Sequence, residues 1–453
     1  MTRKVQVYDT TLRDGAQGEG ISFSCGAKVR LARRLDDFGV DYVEGGFAGA
    51  NDKEQAFFSE MRLAPLKRAR LVAFGSTRRV KTAVRNDPFV KSLFDAGTPA
   101  VAVYGKASKL HVSDVLRTTA RENLAMVADT VRYLKEGGRE VLFDAEHFFD
   151  GYSAQPDFAM NVLQAAVSAG ADWLVLCDTN GGTLPDDVAE IARKVVNSFR
   201  VRVAIHAHDD AGLAAANSLG AVRAGASMVQ GTINGYGERC GNANLCTIMP
   251  TLELKMGCAC LPAGRLAKLR ELSLFVSDLL NARQDTRSPY VGQSAFSHKG
   301  GSHVNAVMKN PRTFEHIRPE QVGNQRRNLV SELSGGSNVL LKAIELGMGR
   351  ERSHENVRDV LKALKQMESK GYAFEAADAS FRILIQKVLK EHKSFFDLEG
   401  FRVIVEKRGK NEPCLSEATI KVRVNREVEQ TAAEGDGPVN ALDKALRKAL
   451  TRF

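Results

Sequence analysis

The sequence predicts an α/β protein whose first half is a (β/α)8 barrel. Eight short β-branched runs recur between residues 5 and 239, amphipathic stretches separate them, and no G-x-G-x-x-G follows the first run. Near-continuous apolar strands alternating with helices argue for a parallel sheet covered on its outer face. Eight such units in about 240 residues argue for closure into a barrel. The missing glycine fingerprint removes the support for an open dinucleotide-binding sheet.

The runs, in order, are VQVYDTT (5–11), DYVEGGF (41–47), LVAFGS (71–76), AVAVYG (100–105), EVLFDAEHF (140–148), WLVLCDT (173–179), RVAIHAHDD (202–210) and MVQGTINGYGER (228–239). Between them lie helix-like segments such as 28–38, KVRLARRLDDF, with apolar residues at three- and four-residue steps. Past the barrel, 262–345 contains the Gly-rich loops SHKGGSHVNAV and ELSGGSNV, and 354–395 reads as two helices broken at Gly371. From Phe401 the period becomes two, giving strands in FRVIVEK, ATIKVRVN and EVEQTAAE. A last helix follows, with Leu442, Leu446 and Leu450 as its stripe, Asp436 as its cap and Pro438 in its first turn. So thin a sheet needs a cover for its other face, which predicts dimer contact or a truncated domain. The expected divisions are 1–262 for the barrel, 263–395 for a helical accessory segment and 396–453 for a partial C-terminal domain.

Composition fits a globular chain with a large core. Of 453 residues, 43% are hydrophobic and 26% charged. No run of about 18 apolar residues and no signal-peptide core is present, so a cytoplasmic protein without membrane contact is expected. Seven scattered cysteines without a CxxC pair indicate reduced thiols rather than a disulfide framework or structural zinc. The net charge of +10 is spread along the chain without aromatic-interleaved basic runs, which argues against nucleic acid. A positive field instead suits small anionic substrates.

Barrel active sites lie at the C-terminal ends of strands. Reactive side chains fall there repeatedly: Arg13 and Asp14 after strand 1, Glu44 on strand 2, Glu146 and His147 at strand 5, Asp178 and Thr179 at strand 6, His206 and His208 at strand 7, and GERCGN (237–242) after strand 8. Period two sets the imidazoles of His206 and His208 on one face. Such a pair serves a core as readily as a metal, but Asp14 adds a carboxylate and leaves coordination positions open for Lewis-acid work. The mixed donors suit Zn²⁺, Mn²⁺, Co²⁺ or Mg²⁺. Arg13 would face developing oxyanion charge with Glu44 fixing its guanidinium, unless the two form a structural bridge at the mouth. Glu146, between Phe143 and Phe148, is expected in an apolar setting that favours acid–base work or a neutral buried acid. The glycines of GYGERCGN would let backbone approach a ligand, and either His298 or His303 could reach over the mouth.

The ordered motifs YDTTLRDGAQGEG, VEGGF, LCDTNGG, HAHDDAGLAAAN, GTINGYGERCGNANL, HKGGSHVNAV and GDGPVNALDKAL resemble the 2-isopropylmalate, homocitrate and citramalate synthases of the DRE-TIM metallolyase superfamily, across essentially the whole chain. FDAEHFFDGY and FEHIRPEQVGNQRRNLVSELSGGSN most resemble the citramalate-forming branch. The resemblance implies metal-dependent condensation of acetyl-CoA with pyruvate, releasing CoA, in isoleucine biosynthesis. It implies Asp14, His206 and His208 as metal ligands with Asn242 close by, Thr179 and Gln17 in the 2-oxoacid pocket, Arg13 on the carbonyl, Glu44 behind it, and Glu146 and His303 in acid–base roles. It also implies a homodimer formed through the C-terminal domain. Phe314 and Asn305 depart from the family pattern, which has Tyr and Asp there, and only one of the two pseudo-symmetric regulatory halves is recognisable before Phe453. Rival readings are a synthase taking a larger 2-oxoacid, an acyl-CoA lyase or aldolase, and a barrel retained without catalysis. GERCGN disfavours the lyase, and the intact Arg13, Asp14, His206 and His208 disfavour the decayed barrel.

Overall fold

A computed structural model describes residues 2–329, 336–348, 354–375, 377–407 and 409–453. The eight expected strands are β1 (Gln6–Asp9), β2 (Tyr42–Phe47), β3 (Arg70–Ser76), β4 (Ala100–Lys106), β5 (Glu140–Glu146), β6 (Trp173–Asp178), β7 (Arg202–Ala207) and β8 (Met228–Gly231). They close into a barrel in sequence order, all parallel, with Gln6–Asp9 paired to Met228–Gly231 at the seam. The last strand is shorter than the run 228–239, because Asn234 turns left-handed at φ 64° and the chain leaves the sheet as a loop.

The outer layer comprises α1 (Cys25–Phe38), α2 (Asp52–Leu63), α3 (Pro88–Asp95), α4 (Ala120–Glu136), α5 (Phe148–Ala154), α6 (Pro156–Ser168), α7 (Pro185–Ser198) and α8 (Ala214–Ala224). Helix α1 starts earlier than its apolar period alone indicates, because Ser24 accepts a hydrogen bond from the Ala27 N–H and caps the new first turn. Strand alternation sends one set of side chains into the barrel, where Tyr8, Tyr42, Phe74, Leu142, Trp173 and Met228 fill the interior. The other set, including Val7, Val43, Val101, Phe143 and Leu174, packs against the helices. At about 25 cal/mol per Å² of apolar area, this two-layer burial is the dominant stabilising contribution.

Two further helices, α9 (Leu245–Leu254) and α10 (Leu269–Leu279), follow, then β9 (Ser297–His298), α11 (Gly301–Lys309) and β10 (Arg327–Asn328). The chain divides into two compact units, one running to His298 and resuming at His303–Asn328, the other Lys299–Ser302 with Leu329–Phe453. The division near Asn328 falls inside the segment 263–395, because Leu269, Leu272 and Val276 of α10 are buried in the barrel's outer core.

In the second unit, α12 (Gly336–Glu345), α13 (His354–Glu368) and α14 (Asp378–Val388) share a core of Val339, Val360, Leu364, Phe374, Phe381 and Ile385. The break at Gly371, φ 92°, separates α13 from α14 as expected. Strands β11 (Asp397–Glu406), β12 (Leu415–Val424) and β13 (Glu427–Gly435) form an antiparallel sheet with β12 in the middle, and α15 (Pro438–Leu450) lies on one face. Two details differ from the sequence reading. Ala441, Ala445 and Ala449 are the buried stripe of α15, with Leu442 and Leu446 flanking it, because Ala418, Ile420 and Val422 of β12 leave room only for a close approach. Gly437, not Asp436, stands at the cap and no side chain caps the helix, while the Asp436 N–H donates to Asn440 Oδ1 at 3.2 Å. Among the described residues no helix is long and apolar enough to cross a membrane, and all seven cysteines are free.

Candidate active site

The segment after β1 folds back on itself through its own short polar side chains. The Asp9 carboxylate accepts from the Thr11 N–H and Oγ1, at 3.0 and 2.9 Å, and the Thr10 carbonyl accepts from the N–H groups of Arg13 and Gly15. This turn aims Arg13 and Asp14 across the barrel mouth. Glu44, fully buried on β2, accepts from Arg13 Nε at 2.6 Å, from Tyr8 Oη at 2.5 Å and from Thr10 Oγ1. The Arg13 guanidinium lies over the Phe74 ring, 3.8 Å from its centroid, and reaches Asp14 Oδ2 at 3.1 Å. Charge-assisted bonds of this kind, out of water, fix a guanidinium far better than a surface pair would.

His206 at the end of β7 and His208 just beyond it present their rings to the same point. Their Nε2 atoms are 3.2 Å apart, and Asp14 Oδ2 lies 3.2 Å from the first and 3.8 Å from the second. All three residues are buried, and the three together have the spacing to hold a metal ion. Burial alone would raise the Asp14 carboxyl, yet Arg13, His206 and His208 hold it well below the usual range. Burial opposes charge on His206, but Asp14 lifts its pKa, whereas burial and the neighbouring His206 push His208 down to about 4. Asp14 Oδ1 and Asn242 Oδ1 are buried with no hydrogen-bond partner, and a backbone bridge between His208 and Asn242 sets that amide beside the cluster. Buried orphan oxygens are costly unless something satisfies them, and oxygen and imidazole donors are what a borderline divalent ion takes. The residues fit a divalent metal.

Arg13, Asp14, His206 and His208 line a cavity of about 250 Å³, shared by Gln17, Thr179, Glu146 and Arg239. A larger cavity, about 550 Å³, opens at the opposite end of the barrel around Glu140, which already takes Tyr42, Trp173, Arg70 and Arg202. It holds none of the expected site residues, and the chemistry lies with the smaller one. Thr179 accepts from the His147 N–H at 2.8 Å, and its own carbonyl accepts from Arg239 Nη2 at 2.8 Å.

Three expectations change. Glu146 is not in an apolar setting: alternation along β5 turns Phe143 towards the helices and leaves Glu146 on the cavity wall, ion-paired with Lys106. The glycines of GYGERCGN serve the loop itself, since a Cβ on Gly237 would meet Asn242 Nδ2 at 2.1 Å and one on Gly241 would meet the Gly235 carbonyl at 2.1 Å. His298 is held by Glu315 at 3.1 Å, which also clamps Arg326 at 2.6 Å through both oxygens. His303 is exposed on α11 with its ring 4.3 Å from that of Phe314, and it is not among the residues that line the cavity. One residue escaped the sequence reading: Asp144, buried on the cavity wall, has Oδ1 without a partner, and burial with Glu44 nearby pushes its carboxyl up to about 7. Period two from Glu146 was the available signal.

Residues 4–276 match the HMGL-like family model, 290–372 the homocitrate synthase post-HMGL domain-like model, and 375–452 the LeuA allosteric (dimerisation) domain. An (R)-citramalate synthase of Aquifex aeolicus is 51% identical over all of this chain and 86% of its own length. The chain belongs to the HMGL-like family, in its (R)-citramalate synthase branch. Another member of that branch, from Geobacter sulfurreducens, is 51% identical over 99% of this chain and 85% of its own. A probable 2-isopropylmalate synthase of Methanopyrus kandleri stands at 33% over 99% of this chain and 86% of its own. Among solved structures, an HMG-CoA lyase of Bacillus subtilis superposes with a TM-score of 0.53 at 19% identity, over 62% of this chain and 95% of the lyase, which shows the barrel fold.

Proposed function

We propose that this protein condenses acetyl-CoA with pyruvate to give (R)-citramalate and free CoA, an acyl transfer in which the acetyl group becomes an alkyl substituent, at the head of a route to isoleucine. The observation that carries the reading is the buried Asp14, His206 and His208 cluster set against Arg13, in a chain 51% identical to (R)-citramalate synthases along its whole length.

Asp14, His206 and His208 would hold a divalent ion, with Asn242 beside it; when bound, the ion supplies a Lewis acid that polarises a carbonyl oxygen. Mn²⁺, Mg²⁺, Zn²⁺ and Co²⁺ all suit these donors. Arg13, immobilised by Glu44 and Phe74, offers a permanent cation where negative charge develops on the pyruvate carbonyl oxygen. Thr179 and Gln17, which line the same cavity, bind the 2-oxoacid. Glu146 takes a proton from the acetyl methyl group, the new carbon–carbon bond forms at the pyruvate carbonyl carbon, and Arg13 faces the resulting alkoxide. The alkoxide then takes a proton, a role the resemblance gives to His303, which lies outside the cavity in this structure, and water cleaves the thioester to release CoA.

We further infer a homodimer in the cytoplasm. Leu398, Phe401 and Val405 of β11 are 52, 62 and 55% exposed on the face of the sheet that α15 only partly covers, and the domain matches a dimerisation model. The experiment is release of free CoA from acetyl-CoA with a panel of 2-oxoacids, with Mn²⁺ or Mg²⁺ and again with EDTA. EDTA-sensitive turnover highest with pyruvate is the expected result. Preference for 2-oxoisovalerate or 2-oxoglutarate would move the enzyme to another synthase activity, and no release with any acid would overturn the reaction class.

A further inference from the structure

Two imidazoles that this chemistry leaves unused stand beside the cavity. His147, the residue after β5, has a left-handed backbone, φ 56° and ψ 36°. A residue with a Cβ adopts that conformation only where its surroundings hold it there. Its ring lies on that of His111, with centroids 3.6 Å apart and planes 15° from parallel. His111 opens a π-helical turn, His111–Val115, closed by the Leu116 N–H donating to the His111 carbonyl at 2.9 Å. Such turns are rare and concentrate at functional sites. Burial first, then the His147 ring and the Lys106 ammonium, hold His111 below the ordinary imidazole value.

The other end of His147 reaches the site. Its peptide N–H donates to Thr179 Oγ1, while Asp150 Oδ2 accepts from Asn180 Nδ2 at 2.8 Å and lies 3.5 Å from His147 Nδ1. The loops after β5 and β6 are therefore tied at two points. A threonine hydroxyl has one proton and two lone pairs. With a backbone N–H occupying one lone pair, the hydroxyl proton of Thr179 is left to donate, and Thr179 lines the cavity. An anionic oxygen in that cavity is the acceptor this arrangement suits.

We propose that His111 and His147 are positioning residues: their ring stack holds the left-handed turn whose N–H orients the Thr179 hydroxyl as a donor to the carboxylate of the 2-oxoacid. The inference rests on the reading of Thr179 in the proposed reaction. Neither ring lines the cavity, so both act through Thr179 and not on the reacting atoms.

The test varies pyruvate and acetyl-CoA separately for the wild type, His111→Ala, His111→Phe, Thr179→Ala and the His111→Ala/Thr179→Ala double variant. His111→Ala is expected to raise KM for pyruvate about tenfold, the size of one misdirected hydrogen bond to a charged group, with KM for acetyl-CoA changed by less than about twofold. His111→Phe, which keeps a flat ring for His147 to lie on, restores most of that loss. In the Thr179→Ala background His111→Ala adds nothing, a non-additivity that general loosening of the fold would not produce. If His111→Ala does not fold, His111→Leu in both backgrounds makes the same comparison against His111→Phe. Wild-type KM in His111→Ala, or an equal penalty with and without Thr179, overturns the positioning role. Absence of wild-type turnover with pyruvate overturns instead the reaction itself, and with it the acceptor assigned to Thr179.

Discussion

The Nε2 atoms of His206 and His208 stand 3.2 Å apart and face one oxygen of Asp14. Gln230 Oε1 lies 3.0 Å from His206 Nδ1 and can accept that nitrogen's proton, which leaves Nε2 facing Asp14 and His208. Two imidazole nitrogens and a carboxylate oxygen therefore converge on one point, an arrangement that a divalent cation suits. Replacing His208 by Ala removes one donor at a strand end and little core packing. The expected outcome is loss of bound metal by elemental analysis and a fall in turnover of about a thousandfold or more, with an unchanged circular dichroism spectrum. Normal turnover in His208→Ala would show that the cluster is not the metal site.

Glu44 is the group on which Arg13 depends. It is fully buried and accepts from Arg13, Tyr8 and Thr10 together. Glu44→Gln keeps the shape but leaves the Arg13 charge buried beside Asp14 alone. Removing one partner of a buried ion pair costs about 3–5 kcal/mol, to be read from chemical denaturation. Turnover is expected to fall by about 10²-fold or more, because a guanidinium free to tilt no longer faces the oxyanion position. A stability loss with full activity would make the pair structural only.

The stability of the barrel carries a pH signature from Asp9. Burial, against the opposing hydrogen bonds from Thr11, pushes its carboxyl up from 3.8 to about 7. The folded state thus holds a proton that the unfolded state releases, and the resulting stabilisation is complete below about pH 4 and lost as pH rises towards 7. Asp9→Asn removes the titration. The wild type should lose stability relative to Asp9→Asn by a few kcal/mol between pH 4 and 7, levelling off above, in denaturant melts across that range. Parallel pH profiles for the two proteins would place the Asp9 pKa near its ordinary value.

Strand ends and spacing were legible because period two is rigid: His206 and His208 had to share a face, and Arg13, Asp14 and Glu44 had to meet at adjacent strand ends. Groups were missed where the decisive neighbour lies far away in sequence. Lys106, on β4, turned the supposedly apolar Glu146 into an ion pair, and no local pattern around FDAEHFF announces it. Asp144 shares one face of β5 with Glu146, but what sets it apart is burial beside Glu44, a residue distant in sequence. The α15 stripe departs from its leucine pattern for a different reason. Hydrophobicity favours leucines, but the distance between a helix and a sheet is set by the smallest side chains, and Ala441, Ala445 and Ala449 allow the close approach.

The loop after β8 gives a final test of how the site is held. Gly241 has φ 98°, and a Cβ there would lie 2.1 Å from the Gly235 carbonyl, the same carbonyl that accepts the Asn242 N–H at 3.0 Å. Gly241→Ala must therefore open the loop where Asn242 is placed against His208. Two effects separate. The left-handed conformation alone costs about 1 kcal/mol or more, and it appears equally in Gly138→Ala, where φ is 76° and a Cβ would meet nothing within 4 Å. The clash is particular to Gly241, and displacing Asn242 should weaken metal binding by about 10–100-fold, measured by titration calorimetry, with kcat/KM falling in step. Gly138→Ala should bind metal as the wild type does. Equal metal affinity in the two variants would mean that Asn242 stands near the ion without helping to hold it.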